Sequence, residues 1–187
     1  GAGTSLCGGP VPTQNSVVVS LARLKKMGKV DARSIEIFAE PGVVNLKLQQ
    51  TLEPFGLHFP PDPGSQKACT IGGNVATNAG GPHCLKYGVT TNWVTGLDVV
   101  LPSGSPIRIN IDDPGYDLVG LMVGSEGTLG IVTSAKLKIL AKPKFVRTSL
   151  VSFPSIEAAI QTVTEIIAAK IIPATLEAMD KTVVTAM

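Results

Sequence analysis

The stretch Thr70-Ile71-Gly72-Gly73-Asn74-Val75-Ala76-Thr77-Asn78-Ala79-Gly80-Gly81 is made almost wholly of small residues, and Pro60-Pro61-Asp62-Pro63-Gly64-Ser65 leads into it. With so few bulky side chains, such a segment lays peptide N–H groups bare against a flat or anionic ligand. A tight turn packed on a neighbouring strand would explain an isolated Gly-Gly pair equally well. Two further glycine clusters weigh against that plainer reading.

The first is Gly1-Ala2-Gly3-Thr4-Ser5-Leu6-Cys7-Gly8-Gly9. It fails the dinucleotide fingerprint G-x-G-x-x-G, because Leu6 stands where the third glycine belongs, and no G-K-[ST] follows to make a Walker loop. What remains is a small-residue loop whose N–H groups and two hydroxyls suit a pyrophosphate without a catalytic lysine. The other cluster, Gly124-Ser125-Glu126-Gly127-Thr128-Leu129-Gly130-Ile131-Val132, sets glycines at a spacing of three among apolar residues and runs into a strand. By itself it is equally a hairpin corner or a ligand-facing loop.

Between these clusters the chain reads as alternating short elements. Val17-Val18-Val19-Ser20-Leu21 and Ser34 to Ala39 predict strands, and Val44, Leu48, Leu52 and Phe55 recur at helical spacing up to Gly56. Leu57 to Pro61 is an extended edge, in which His58 reads as a surface or hydrogen-bonded residue. Lys86-Tyr87-Gly88 is a turn, and Val94 to Leu101 pairs through Pro102-Ser103-Gly104 with Ile107 to Ile111. Tyr116 to Val123 predicts a short helix, and Val132 to Leu140 a strand. After Lys142-Pro143-Lys144 the texture changes. Val146 to Phe153 and Thr175 to Met179 read as strands around a helix capped by Ser155, so a β-α-β unit opens a second domain near Lys144. Asp180 caps a further helix toward Met187.

Bulk properties narrow the partners. In 187 residues, 44% hydrophobic content with 16% charge describes a globular chain with a buried core. A net charge of +2, with the cations scattered, offers no stripe for nucleic acid. No apolar run approaches the ~20 residues of a membrane span, so membrane contact would be peripheral. Cys7, Cys69 and Cys84 form no paired framework, which suggests a reducing, cytoplasmic setting. His83 beside Cys84 lacks the two further ligands of a metal site. No Ser/His/Asp or Cys/His set can be assembled, so the chemistry belongs to a cofactor or to residues outside this stretch. The glycine-rich start and the unfinished helix at the end read as a fragment cut on both sides.

The succession G-A-G-T-S-L-C-G-G, P-P-D-P-G-S, C-T-I-G-G-N-V-A-T-N-A-G-G, K-Y-G and G-S-E-G-T-L-G-I-V resembles the FAD-binding domain of vanillyl-alcohol-oxidase-type (PCMH-type) flavoproteins. H-C-L-K-Y-G and I-I-P-A-T-L-E-A-M-D are more specifically similar to the flavin-binding subunit of bacterial glycolate oxidases and to related D-2-hydroxy-acid dehydrogenases. The resemblance covers essentially the whole chain. It implies an α+β fold: an antiparallel sheet flanked by helices over residues 1–144, with the family's first strands absent, then the start of a ferredoxin-like cap domain over 145–187.

The resemblance also implies roles. Gly1, Ala2, Gly3, Thr4, Ser5, Gly8 and Gly9 would take the pyrophosphate. Pro61, Asp62, Pro63, Ser65 and Thr70 would line flavin and diphosphate, and Gly73, Asn74, Thr77 and Asn78 would continue that wall. Glu126, Gly127, Gly130, Ile131 and Val132 would close over the cofactor, the last two reaching adenine or ribose through their backbone. Thr4 and Ala68 occupy the positions where covalent members carry histidine and cysteine, so the resemblance implies noncovalent FAD. The implied reaction is oxidation of a small 2-hydroxy acid, glycolate or D-lactate, by hydride transfer, with electrons leaving through flavoprotein and iron-sulfur partner subunits or a quinone-linked carrier. The family's catalytic residues lie in the absent cap, which leaves none here. A noncatalytic module holding FAD or another nucleotide is the alternative, and a purely structural β-rich scaffold a third.

Overall fold

The computed structural model describes residues 1–31 and 33–186. In chain order its strands are β1 (Glu36–Ala39), β2 (Leu57–His58), β3 (Val94–Val100), β4 (Pro106–Asn110), β5 (Ile131–Lys138) and β6 (Leu140–Ala141). The helices are α1 (Asn45–Leu52), α2 (Ile71–Thr77), α3 (Cys84–Tyr87), α4 (Leu118–Met122), α5 (Ile156–Ala168) and α6 (Lys181–Ala186). β1, β5, β3 and β4 form one sheet in that order, every pair antiparallel, while β2 and β6 make a separate two-stranded ribbon.

Period-two patterning decides which face of the sheet is inside. Ile37 and Ala39 of β1 pair with Leu137 and Ala135 of β5, Leu97 of β3 lies opposite both Ala135 and Ile109, and all of these are buried. The opposite face carries Asp98–Arg108 at 2.6 Å and Glu36–Lys136 at 2.8 Å, cross-strand ion pairs that keep it in water. Over the inner face lie α1 through Leu48 and Leu52, α2 through Ile71 and Val75, and α4 through Val119 and Met122. Full burial of Leu48 and Leu52 contributes about 1.5–3 kcal/mol each.

α1 ends as the sequence predicts, running through a 3-10 turn at Glu53–Phe55 into Gly56, whose φ of 65° lets the chain reverse. α4 and α5 start where an oxygen caps them: Asp117 Oδ1 accepts from the Gly120 N–H at 2.8 Å, and Ser155 Oγ from the Ala158 N–H at 3.2 Å. Asp180 likewise accepts from the Val183 N–H at 2.8 Å, at the head of α6.

Three predicted strands do not form. Val17 to Leu21, Val146 to Phe153 and Thr175 to Met179 have strand-like composition but no ladder partner among the described residues, and Val17 is 88% exposed. β propensity expresses packing on a pleated surface, and these segments have no such surface beside them. The opposite correction applies at Lys86-Tyr87-Gly88, where the turn belongs to the short helix α3.

Candidate functional site

The Thr70–Gly81 stretch is not a bare loop. Seven of its residues form α2, capped by Thr70 Oγ1 accepting from the Gly73 N–H at 3.3 Å and ended by Asn78 in the left-handed region at φ 47°. Glycine is a poor helix former, yet Gly72 has a packing reason: a Cβ there would stand 2.4 Å from Pro41 Cβ. Ile71 and Val75, one turn apart, anchor the helix in the core.

The first glycine loop lies against this helix. A Cβ on Gly1 would come within 3.0 Å of Gly73 Cα and 3.5 Å of Thr70 Oγ1. The far end of the same loop meets the third cluster, since a Cβ on Gly9 would stand 3.1 Å from Glu126 Oε2. The third cluster in turn hangs on α2: the Gly124 N–H donates to Val75 O and the Glu126 N–H to Ala76 O, both at 2.8 Å, and Asn78 Cβ borders Gly124. Three segments spread over more than a hundred positions therefore meet in one place.

The free donors do not lie on α2. At the start of α2 every amide is already used, Ile71 N–H by Val43 O, Gly72 N–H by Pro41 O and Gly73 N–H by Thr70 Oγ1. In the first loop the opposite holds. Among the described residues, none of the N–H groups of Ala2, Gly3, Thr4, Ser5, Leu6, Gly8 and Gly9 donates to a protein acceptor. Gly3, Gly8 and Gly127 adopt positive φ with nothing within 4 Å of where a Cβ would be, so open space and not protein faces them. Unpaired N–H groups beside open space make an anion-receiving surface.

Pro61, Asp62, Pro63 and Ser65 form a second wall. Prolines have no N–H to donate to a ladder, and side chains hold this segment instead: Gln49 Nε2 donates to Phe59 O while Gln49 Oε1 accepts from the Phe59 N–H, and Asn45 Nδ2 donates to Pro61 O at 3.0 Å. On its other side His83 Nδ1 lies 2.5 Å from Asp62 Oδ2. Asn74 is buried at 2%, and its Nδ2 has no partner among the described residues. Thr77 is exposed, with its hydroxyl donating to Gly73 O at 2.9 Å. Gly130 packs onto β3, a Cβ there falling 2.7 Å from Val99 Cγ1, while Ile131 and Val132 pair with Val100 and Val99. β1 reaches only as far as Ala135, so the other backbone edge of Ile131 and Val132 has no strand beside it among the described residues.

Burial pushes the Cys69 thiol up, against weaker opposing causes that include Ser65. Desolvation lowers the His58 pKa, partly countered by its ring nitrogen's contact with Leu140 O. Among the described residues no three His, Cys, Asp or Glu side chains gather as metal ligands. No helix among them is long and apolar enough to cross a membrane.

This convergence has a family. A model described as the FAD binding domain matches residues 1–110, more than half the chain. The chain belongs to that FAD-binding family. A second family model, the C-terminal domain of FAD linked oxidases, matches residues 142–187. Among curated relatives, the glycolate oxidase subunit GlcD of Bacillus subtilis is 48% identical across 97% of this chain and 39% of its own length. GlcD of Escherichia coli K12 is 44% identical across 96% of the chain and 37% of its own, and a D-lactate dehydrogenase of Archaeoglobus fulgidus is 38% identical across 97% and 41%. The chain thus spans about two fifths of the length of these relatives. In structure it is similar to alkyldihydroxyacetonephosphate synthase, with a TM-score of 0.81 and 27% identity over 94% of this chain and 33% of that one.

FAD is the cofactor of this FAD-binding domain, and the residues fit it. A diphosphate needs several N–H donors without bulk around them, which is what the first loop has; a flat ring system needs a low wall, which the small residues of α2 and the proline segment provide. Sequence reasoning missed that the α2 amides are spent within the protein. The signal was present, since Thr70 three residues before Gly73 is an N-cap pattern and Asn78 a left-handed terminator.

Proposed function

We propose that the chain is the cofactor-holding part of a flavoprotein that oxidises a small 2-hydroxy acid, of glycolate or D-lactate type, to the 2-oxo acid. The meeting of three glycine-rich segments around a loop of unpaired N–H groups carries the reading. The names of the relatives support the substrate class. FAD supplies the hydride acceptor when bound. The chain's own residues do the binding: the amides of Gly1 to Ser5, with Gly8 and Gly9, receive the diphosphate. Pro61, Asp62, Pro63, Ser65, Thr70, Gly73, Asn74, Thr77 and Asn78 form the wall beside it. Glu126, Gly127, Gly130, Ile131 and Val132 close the far side.

The attachment is noncovalent, because Thr4 and Ala68 stand where covalent members carry histidine and cysteine, and Cys69 is buried with its thiol pKa raised. The FAD-binding domain ends near Lys144, and residues 145–187 begin a substrate-capping domain. The catalytic groups belong to that cap, and the electrons pass to partner flavoprotein or iron-sulfur subunits, with any membrane attachment peripheral.

Full-length protein purified without added flavin tests this. It is expected to be yellow, to release intact FAD on acid precipitation, and to bleach under anaerobic glycolate or D-lactate. Retained FAD that neither acid bleaches would favour a noncatalytic flavin-holding module; a colourless folded protein that takes up no FAD would sink the reading altogether.

A further inference from the structure

Asp62 sits in a segment with prolines at 60, 61 and 63, and such a segment has too few N–H groups to be fixed by a ladder. Its shape comes from side chains on two sides. α1 grips it from the core side through Gln49 on Phe59, a half-buried contact, and Asn45 on Pro61, a buried one. From the other side comes the turn between α2 and α3. Gly81 approaches so closely that a Cβ there would fall 2.4 Å from both the carbonyl oxygen and Oδ1 of Asp62, and His83 Nδ1 lies 2.5 Å from Oδ2.

The two side chains are unequally placed. The Asp62 side chain is 18% exposed and that of His83 41%. A carboxylate so largely removed from water requires a partner, and among the described residues His83 is the only side chain that supplies one. The carboxylate accepts, so Nδ1 carries the hydrogen and donates. His83 itself is held by position, since its carbonyl accepts from the Lys86 and Tyr87 amides at the head of α3 and its ring leans on Tyr87 at 6.4 Å.

We infer that His83 is a positioning residue for the cofactor site: its Nδ1–H fixes the Asp62 carboxylate, and through it the Pro61–Ser65 wall, in the shape that receives the flavin. This rests on the reading of Pro61 to Ser65 as cofactor-lining. It accounts for a histidine next to Cys84 without a metal, and for Gly81, whose missing side chain lets the turn reach Asp62. Because the histidine end of the pair is open to solvent, the pair adds little to global stability, and its effect falls on the local shape of the wall.

The test uses the full-length protein and FAD itself, with release of free flavin followed by fluorescence and the bound flavin by its visible absorption. In His83→Asn the amide nitrogen takes the place of Nδ1, whereas in His83→Gln it takes that of Nε2. Expected are roughly three- to tenfold weaker FAD binding and an altered visible band in His83→Ala and His83→Gln. His83→Asn is expected to restore both, and His83→Ala to add nothing in an Asp62→Asn background. Wild-type affinity in His83→Ala, or an Asn variant as weak as the Ala variant, overturns the inference while leaving the FAD reading intact. A folded wild-type protein that takes up no FAD removes both.

Discussion

Gly1 and Gly73 stand back to back: a methyl group on the first would lie 3.0 Å from the Cα of the second, whereas one on Gly73 would meet Gly1 Cα and Thr70 Oγ1 only at 3.5 Å. The asymmetry separates glycines that build the fold from glycines that build the site. At Gly72, one residue earlier, a Cβ would fall 2.4 Å from Pro41 Cβ and 3.0 Å from Pro41 backbone, none of which can swing away.

Gly72→Ala is therefore expected to lower stability. The gain in helix propensity is up to ~1 kcal/mol, and overpacking against rigid backbone costs about 1–3 kcal/mol with this contact at the severe end. Gly73→Ala meets only ordinary van der Waals distances, so the denaturant midpoint should stay at or above wild type while FAD affinity falls. Urea melts of both variants, with FAD titrations of the folded one, check this. A destabilised Gly73→Ala or a tolerated Gly72→Ala contradicts it.

Thr70 is expected to matter as a cap before it matters as a ligand. Its Oγ1 takes the Gly73 N–H, and the residue is 8% exposed. Thr70→Ala should cost about 1 kcal/mol, and Thr70→Ser should recover most of it. If Thr70→Val proves as stable as wild type, the hydroxyl is not capping the helix.

These two sites mark how far the sequence could be read. The sheet was legible because Leu97, Val99, Ala135 and Leu137 alternate with polar residues, and α1 because Leu48 and Leu52 repeat at one turn before Gly56. α2 was not, since Gly72-Gly73 argues against helix unless one knows that Pro41 lies beside Gly72. That contact spans thirty residues of sequence and leaves no local trace. For the same reason Val17 to Leu21 looked like a strand: composition records an affinity for a sheet edge but not whether one is within reach. At the site, the resemblance named the segments, yet which amides are free depends on acceptors far off in sequence, such as Pro41 O and Val43 O, and the His83–Asp62 pairing joins residues that no spacing rule connects.

The three thiols should react in a fixed order. Cys7 is exposed in the first loop, Cys84 is half-buried with its sulfur accepting from the Gly81 N–H, and Cys69 is 4% exposed with its pKa raised by burial. Timed alkylation of the native protein read by mass spectrometry is expected to label Cys7 first and Cys69 last. Added FAD should slow Cys7, because the cofactor would cover its loop. Early labelling of Cys69 would mean that the wall around Thr70 opens far more readily than its packing implies.

His58 gives the fold a pH dependence whose sign follows from its surroundings. Desolvation is the main cause of its lowered pKa, with His83 and Lys142 acting in the same direction and the Leu140 carbonyl and Asp62 opposing. The folded state therefore binds the proton less readily than the unfolded state, whose imidazole titrates near the ordinary value of 6.5. Above that value both states are neutral and His58 leaves stability unchanged. As the pH falls below it, the unfolded chain takes up the proton first, and stability declines until the folded-state pKa has been passed. Denaturant midpoints measured from about pH 8 down to pH 5 should show this decline in the wild type, and His58→Asn, whose amide nitrogen takes the place of the Nδ1 that faces Leu140 O but does not titrate, should flatten it. An undiminished slope in that variant would assign the pH dependence to other groups and show that the β2–β6 ribbon leaves His58 as well hydrated as in the unfolded chain.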